Sequence, residues 1–226
     1  MKLIEIDSKL ISSPMTKKEL LSYYSCVKRK IKERLKEFAE VYSQNDRKIF
    51  EELCFCIFTA NASAKMGYNC IEKIRPILME GSLQDLQKAI KGHYRFWKIR
   101  PAYIVHTREF LRENYDLKLK KLIESFKSRE ELRDFFAKNK GIKGIGYKEA
   151  SHFLRNIGIK GYGIMDKHIL RCLHEFGIIK DIEPLNTKEK YVAAEAKLKK
   201  LAEKLKIDFD ELDLLLWSSK TGEILK

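Results

Sequence analysis

GIKGIGYKEASHFLRNIGIKGYGIMDKHILR, residues 141–171, holds six of the eleven glycines of this 226-residue chain and sets them among lysines. Within it, Ile142-Lys143-Gly144-Ile145-Gly146 joins two segments of helical apolar periodicity, 128–138 and 147–157. A Gly-Ile-Gly turn lets the backbone take positive φ and come close to another molecule. Its amides, with the first amides of the helix from Tyr147, offer a pocket for a phosphate, with Lys143, Gly144 and Gly146 as the contacts. On the glycines alone, a tight turn of packing value only is an equal reading.

The charge of the chain bounds its partner. Lysine and arginine number 46 against 32 acidic residues, a formal net charge of +14, so the natural partner carries dense negative charge, nucleic acid foremost. No apolar run approaches the ~20 residues of a membrane span and no signal sequence opens the chain, so a soluble, intracellular protein is expected. The five cysteines (Cys26, Cys54, Cys56, Cys70, Cys172) are odd in number and irregularly spaced. They fit neither a disulfide framework nor a metal cluster and read as buried reduced thiols.

Outward from the glycine stretch, helical periodicity dominates and hairpin signals are missing, so the fold class is all-α. Thr16-Lys17-Lys18-Glu19 has the form of a capping box before a helix over 20–41. The run FEELCFCIFTA, residues 50–60, closes a helix from Asp46 that is apolar nearly all round and belongs at a domain centre. Asn61-Ala62-Ser63 breaks it and caps the next helix, which Pro76 kinks or ends. Ser82 caps a helix reaching 90, residues 92–97 form an aromatic and basic loop, and Pro101 opens a helix to 114. Further helices are expected over 117–126, 167–176, 188–205 and 208–219. Three glycines within 158–163 mark the domain boundary. The expected division is one helical domain over 46–162 and a second made of 1–45 plus 163–226, with a cleft between them.

The pattern apolar-x-Gly-apolar-Gly-x-x-x-Ala, Ile142 to Ala150, resembles the helix-hairpin-helix element, which holds DNA backbone. Lys148 stands second after Gly146, and Asp166 follows behind Gly161-Tyr162-Gly163. These resemble the catalytic signature of the helix-hairpin-helix DNA glycosylase superfamily. More narrowly, GIGYKEASHFLRNIG, MDKHILR and LLLWSSKTGEILK resemble the second family of 8-oxoguanine DNA glycosylase/lyases, found mainly in archaea and some thermophilic bacteria. Endonuclease III-like relatives carry four clustered cysteines after the aspartate; here only Cys172 lies there, which sets that branch aside.

The resemblance implies a bifunctional repair enzyme that excises 8-oxoguanine from duplex DNA and cuts the strand by β-elimination. Lys148 would be the nucleophile that forms a Schiff base, and Asp166 its partner, stabilising positive charge on the sugar. Taken without the motif, Lys148 reads as a solvated helix lysine and Asp166 as the N-cap of the helix from Lys167. Asn61 lies where the superfamily places a residue that fills the gap of a flipped base; a plain N-cap is an equal reading. Trp217 and the terminal carboxylate of Lys226 would help recognise the oxidised base, although Leu214-Leu215-Leu216-Trp217 alone reads as a core stripe. Phe96 would offer a backbone carbonyl to the N7–H of 8-oxoguanine, and His168 reads as a surface or phosphate-contacting residue. No cofactor is expected; a monovalent cation under the hairpin carbonyls stays open. A monomer in a prokaryotic cytoplasm, associated with the nucleoid, is the expected setting. The rival readings are a non-catalytic helix-hairpin-helix binding module and a glycosylase for another damaged base.

Overall fold

The computed structural model describes residues 15–224. Eleven α-helices and one 3-10 turn make up its regular structure, with no strand among the described residues. The chain divides into two compact units, one spanning Ala39–Gly158 and the other made of the residues up to Phe38 and from Ile159 onward. The sequence had suggested divisions at 45/46 and 162/163.

Helix α1 spans Lys17–Ser43. Its start is fixed by Thr16, whose hydroxyl accepts from the Glu19 amide at 3.2 Å while Glu19 accepts from the Thr16 amide at 2.7 Å. That reciprocal cap satisfies amides the first turn otherwise leaves unpaired. Leu20, Val27, Ile31 and Phe38 are buried at spacings of four or seven residues, the stripe a 3.6-residue period produces.

In the 39–158 unit, α2 (Asp46–Thr59) is buried without interruption from Ile49 to Thr59. Helices α3 (Ala64–Ile74), α5 (Ile99–Tyr115), α6 (Leu119–Glu124) and α8 (Tyr147–Asn156) pack around it. Each fully buried Leu, Ile or Phe of α2 contributes about 1.5–3 kcal/mol from removal of apolar surface from water. The two acids in this helix are paired: Glu51 holds Lys48 at 2.5 Å and Arg75 at 3.0 Å, and Glu52 accepts from Asn156 at 3.4 Å. Pro76 lies in a 3-10 turn, Arg75–Ile77, that ends α3. Helix α4 (Leu83–Ile90) carries the Ser82 cap, completed by Asp85. Helix α5 begins at Ile99, two residues before Pro101, because a proline in the first turn gives up an amide that has no intrahelical acceptor there. Helix α6 is shorter than the pattern predicts, since Asp116 and Leu117 both take positive φ and end α5 in a tight reversal. Helix α7 spans Arg129–Lys138, with Ser128 as its cap.

The second unit contains α9 (Lys167–Glu175), α10 (Lys188–Leu205) and α11 (Phe209–Thr221), with α11 packed on both others. From α1, the Tyr23 hydroxyl hydrogen-bonds the Ser218 hydroxyl at 3.3 Å, and Tyr24 donates to Glu211. Lys220 on α11 and Glu175 on α9 form a 2.6 Å ion pair in which the lysine side chain is 2% exposed. All five cysteines are unbridged, and four are buried. Cys26 differs from the expectation: it lies on an exposed face of α1. No helix among the described residues is long and apolar enough to cross a membrane.

Candidate functional site

The hairpin connects α7 to α8 and is tied down by side chains. Asn139 accepts from the Gly141 amide at 2.8 Å, and the Thr107 hydroxyl accepts from the Lys143 amide at 3.0 Å. Gly144 has φ +74, and a Cβ there would fall 2.6 Å from the Tyr103 ring. A side chain is therefore excluded twice, by backbone conformation and by packing. Gly146 differs. Its φ is −110, and an added Cβ would meet only Glu149 Oε2, at 3.5 Å. The fold itself has room for a side chain at 146.

Lys148 is the second residue of α8. Its side chain is 35% exposed and its Nζ lies 3.1 Å from Glu149 Oε1. The other oxygen of Glu149 accepts from the Gly146 amide at 3.3 Å. One carboxylate thus caps the helix and holds the amine. The expected phosphate pocket loses one donor: the Gly146 amide is taken, while the Gly144 and Ile145 amides have no acceptor among the described residues.

Asp166 is the N-cap of α9, its Oδ1 accepting from His168 N at 2.8 Å and Ile169 N at 2.9 Å. Oδ2 has no partner among the described residues, so capping leaves one oxygen for chemistry. The loop leading to it is held by side chains the sequence did not single out. Asp210 accepts from Gly161 N at 2.8 Å, Glu195 from Gly163 N at 2.9 Å and Asp213 from Ile164 N at 2.9 Å. The Tyr191 hydroxyl accepts from Met165 N at 3.2 Å and donates to Gly163 O at 2.7 Å. Three buried acids far along the chain thus replace the secondary structure that the glycine-rich loop lacks.

His168 and Trp217 meet edge to face, ring centroids 6.4 Å apart. Burial pushes the His168 imidazole below its ordinary 6.5, against the opposing pull of Asp166, so the ring is neutral at pH 7. Trp217 is half-buried at the edge of a stripe in which Leu214, Leu215 and Leu216 are fully buried. Lys226 lies outside the described residues.

Asn61 is exposed and takes φ +59, a left-handed conformation that asparagine tolerates. It is not the N-cap: Ser63 caps α3, accepting from Met66 N. Arg95 donates to the Asn61 carbonyl at 2.7 Å and Arg100 to the Ala60 carbonyl at 3.1 Å. Both guanidinium groups also lie over the Phe96 ring, at 4.3 and 5.5 Å. The Phe96 carbonyl already accepts from Ile99 N and Arg100 N, which leaves its half-buried ring as the part able to meet a base. Residues 60–61 and 94–100 therefore form one basic and aromatic cluster, tied to the hairpin through Arg100, which an added Cβ at Gly144 would touch.

Among the described residues no group of three or more His, Cys, Asp or Glu is placed to hold a metal ion. The residues singled out supply an amine at a helix start, a carboxylate with one oxygen outside its cap, and aromatic rings.

The chain is similar to known proteins along most of its length. The family described as 8-oxoguanine DNA glycosylase matches residues 31–207. The 8-oxoguanine DNA glycosylase/AP lyase of Methanocaldococcus jannaschii is 38% identical over 198 residues, covering 87% of this chain and 91% of the relative. That of Aquifex aeolicus is 41% identical over 191 residues, covering 80% of each. The crystal structure of the M. jannaschii enzyme with 15mer DNA containing 8-oxoguanine superposes with a TM-score of 0.83 at 35% identity, covering 92% of this chain and 99% of that one. The Thermotoga maritima 8-oxoguanine DNA glycosylase gives 0.82 at 33% identity, covering 92% and 97%. With a matching profile over most of its length and relatives above 30% identity over 80% or more of theirs, the chain belongs to the 8-oxoguanine DNA glycosylase/AP lyase family.

Proposed function

We propose that this protein excises 8-oxoguanine from duplex DNA and then cleaves the strand at the resulting abasic site. Membership of the family supports the activity; the observation that carries the assignment of roles is Lys148, an amine presented at the start of α8 directly after the Gly144–Gly146 turn. In this reading Lys148 Nζ attacks C1′, the base leaves with the glycosidic electron pair, and opening of the sugar gives a Schiff base. Removal of a C2′ proton then expels the 3′ phosphate. Asp166, through the oxygen its cap leaves unengaged, stabilises positive charge developing on the sugar.

A base inside a duplex must be flipped out before it can be reached. Asn61, exposed and braced by Arg95, is suited to occupy the gap. Trp217 offers a ring to stack on the flipped base, with His168 neutral beside it, and the Phe96 ring is a second apolar contact. Lys143 and the amides of Gly144 and Ile145 hold a backbone phosphate without reading sequence, as the helix-hairpin-helix assignment implies. The partner is double-stranded DNA carrying 8-oxoguanine, and the protein acts as a monomer.

Single-turnover assays on duplexes carrying 8-oxoguanine, 5-hydroxyuracil or a preformed abasic site test this reading. The expected result is rapid excision of 8-oxoguanine and cleavage at the abasic site, with slow action on the oxidised pyrimidine. A preference for 5-hydroxyuracil would assign a different lesion, and binding without excision of any base would leave only a binding module.

A further inference from the structure

The carboxylate of Glu149 has no part in the proposed steps, yet it touches the atom at their centre. Its side chain is 15% exposed, Oε1 lies 3.1 Å from Lys148 Nζ, and Oε2 accepts from the Gly146 amide at 3.3 Å. The second contact matters because it fixes the carboxylate at the helix start, so Oε1 cannot drift from the amine without breaking the cap. We infer that Glu149 is the general base of the strand-cutting step, removing the C2′ proton from the Schiff base formed by Lys148.

This inference rests on Lys148 being the nucleophile. When Nζ bonds to C1′, C2′ becomes the atom two bonds from Nζ, and a carboxylate in contact with Nζ comes within proton-transfer reach of it. The contact survives the chemistry, because the protonated imine carries the same positive charge as the ammonium ion it replaces. In the step itself the C2′–H bond breaks, the proton goes to Glu149 Oε1, and the C–H electron pair forms the enamine C1′=C2′ bond. Return of the nitrogen lone pair restores the iminium, forms C2′=C3′ and breaks the C3′–O bond, releasing the 3′ phosphate with its electrons. No oxidant, reductant or metal enters.

Glu149→Gln tests the idea, because its amide oxygen still accepts from the Gly146 amide while its basicity is lost. Strand cleavage, scored without heat or alkali, should fall about a hundredfold, in line with the usual contribution of a positioned base. Borohydride trapping on 8-oxoguanine duplex should stay within about twofold of the native protein, because the Schiff base forms and then accumulates. Glu149→Asp, which keeps a carboxylate, should recover part of the cleavage. Native cleavage by Glu149→Gln, or an equal loss of trapping and cleavage, overturns the inference; the second outcome shows a structural role alone. Lys148→Gln run in parallel separates the two claims: trapping that persists there removes the nucleophile assignment itself.

Discussion

Asp213 on α11 accepts the backbone amide of Ile164 at 2.9 Å, two residues before Asp166 and 49 residues away along the chain. The carboxylate is 1% exposed and does the work a neighbouring strand would do in a sheet: it gives a buried amide its acceptor. With Glu195 and Asp210 it fixes the path of the loop that delivers Asp166.

Asp213→Ala should therefore cost about 1–3 kcal/mol in thermal or denaturant unfolding, the penalty for a buried amide without an acceptor. Excision should fall by about tenfold or more in the same variant, because a small displacement of a positioned group is costly to rate. Asp213→Asn, which keeps an acceptor oxygen, should lose less of both. Unchanged excision in a measurably destabilised Asp213→Ala would mean that the loop does not depend on this hold.

The two hairpin glycines should behave differently. Gly144→Ala forces a side chain into the left-handed region and against Tyr103, and should destabilise by about 1–3 kcal/mol. Gly146→Ala should leave stability within about 1 kcal/mol of the native protein, since its φ suits any residue and nothing in the fold obstructs the new atom. Binding to all duplexes, damaged or not, should nevertheless weaken several-fold if the turn meets a phosphate. A loss confined to 8-oxoguanine DNA would place Gly146 beside the base.

His168 should titrate below 6.5 by proton NMR, because burial disfavours its charged form more than Asp166 favours it. The unfolded chain then takes up the proton more readily than the folded one. Stability should fall as pH drops from 6.5 through the folded-state value, and be fully regained above 6.5. His168→Gln should remove that portion of the pH dependence. A midpoint at or above 6.5 would contradict the buried, neutral ring.

Glu51 supplies the acid-side prediction. Burial raises its carboxyl, but hydrogen bonds from Arg75 and Lys48 outweigh that and hold it below 4.5. The stabilisation is present above 4.5 and is lost as pH falls through the lowered value. Glu51→Ala should cost about 1–3 kcal/mol at pH 7, at the lower end because Arg75 and Lys48 stay partly solvated, and little at pH 2.

Local signals carried much of this structure. The Thr16–Glu19 cap, the Ser82 cap and the buried run of α2 all act within a turn or two, so residue type and spacing suffice to read them. The motif around Lys148 and Asp166 was legible by resemblance alone. What stayed hidden depends on distance along the chain. No local signal marks Asp210, Asp213 and Glu195, and only the folded loop at 161–165 reveals them as acceptors. Arg95 and Arg100 carry no local signal of their contacts, the carbonyls of Asn61 and Ala60. Asn61 and Ser63 both suit a cap, and the structure chose Ser63 because Asn61 turns left-handed. Glu149 was within reach of sequence reasoning, standing three residues after the N-cap Gly146, where a capping acid belongs.

The most direct test of the whole account is borohydride trapping of Lys148→Gln on a duplex containing 8-oxoguanine, with binding to the same duplex measured alongside. The account predicts no covalent adduct and no strand cleavage, with a dissociation constant within a few-fold of the native protein. A trapped adduct at native yield would contradict it and place the nucleophile on a different amine.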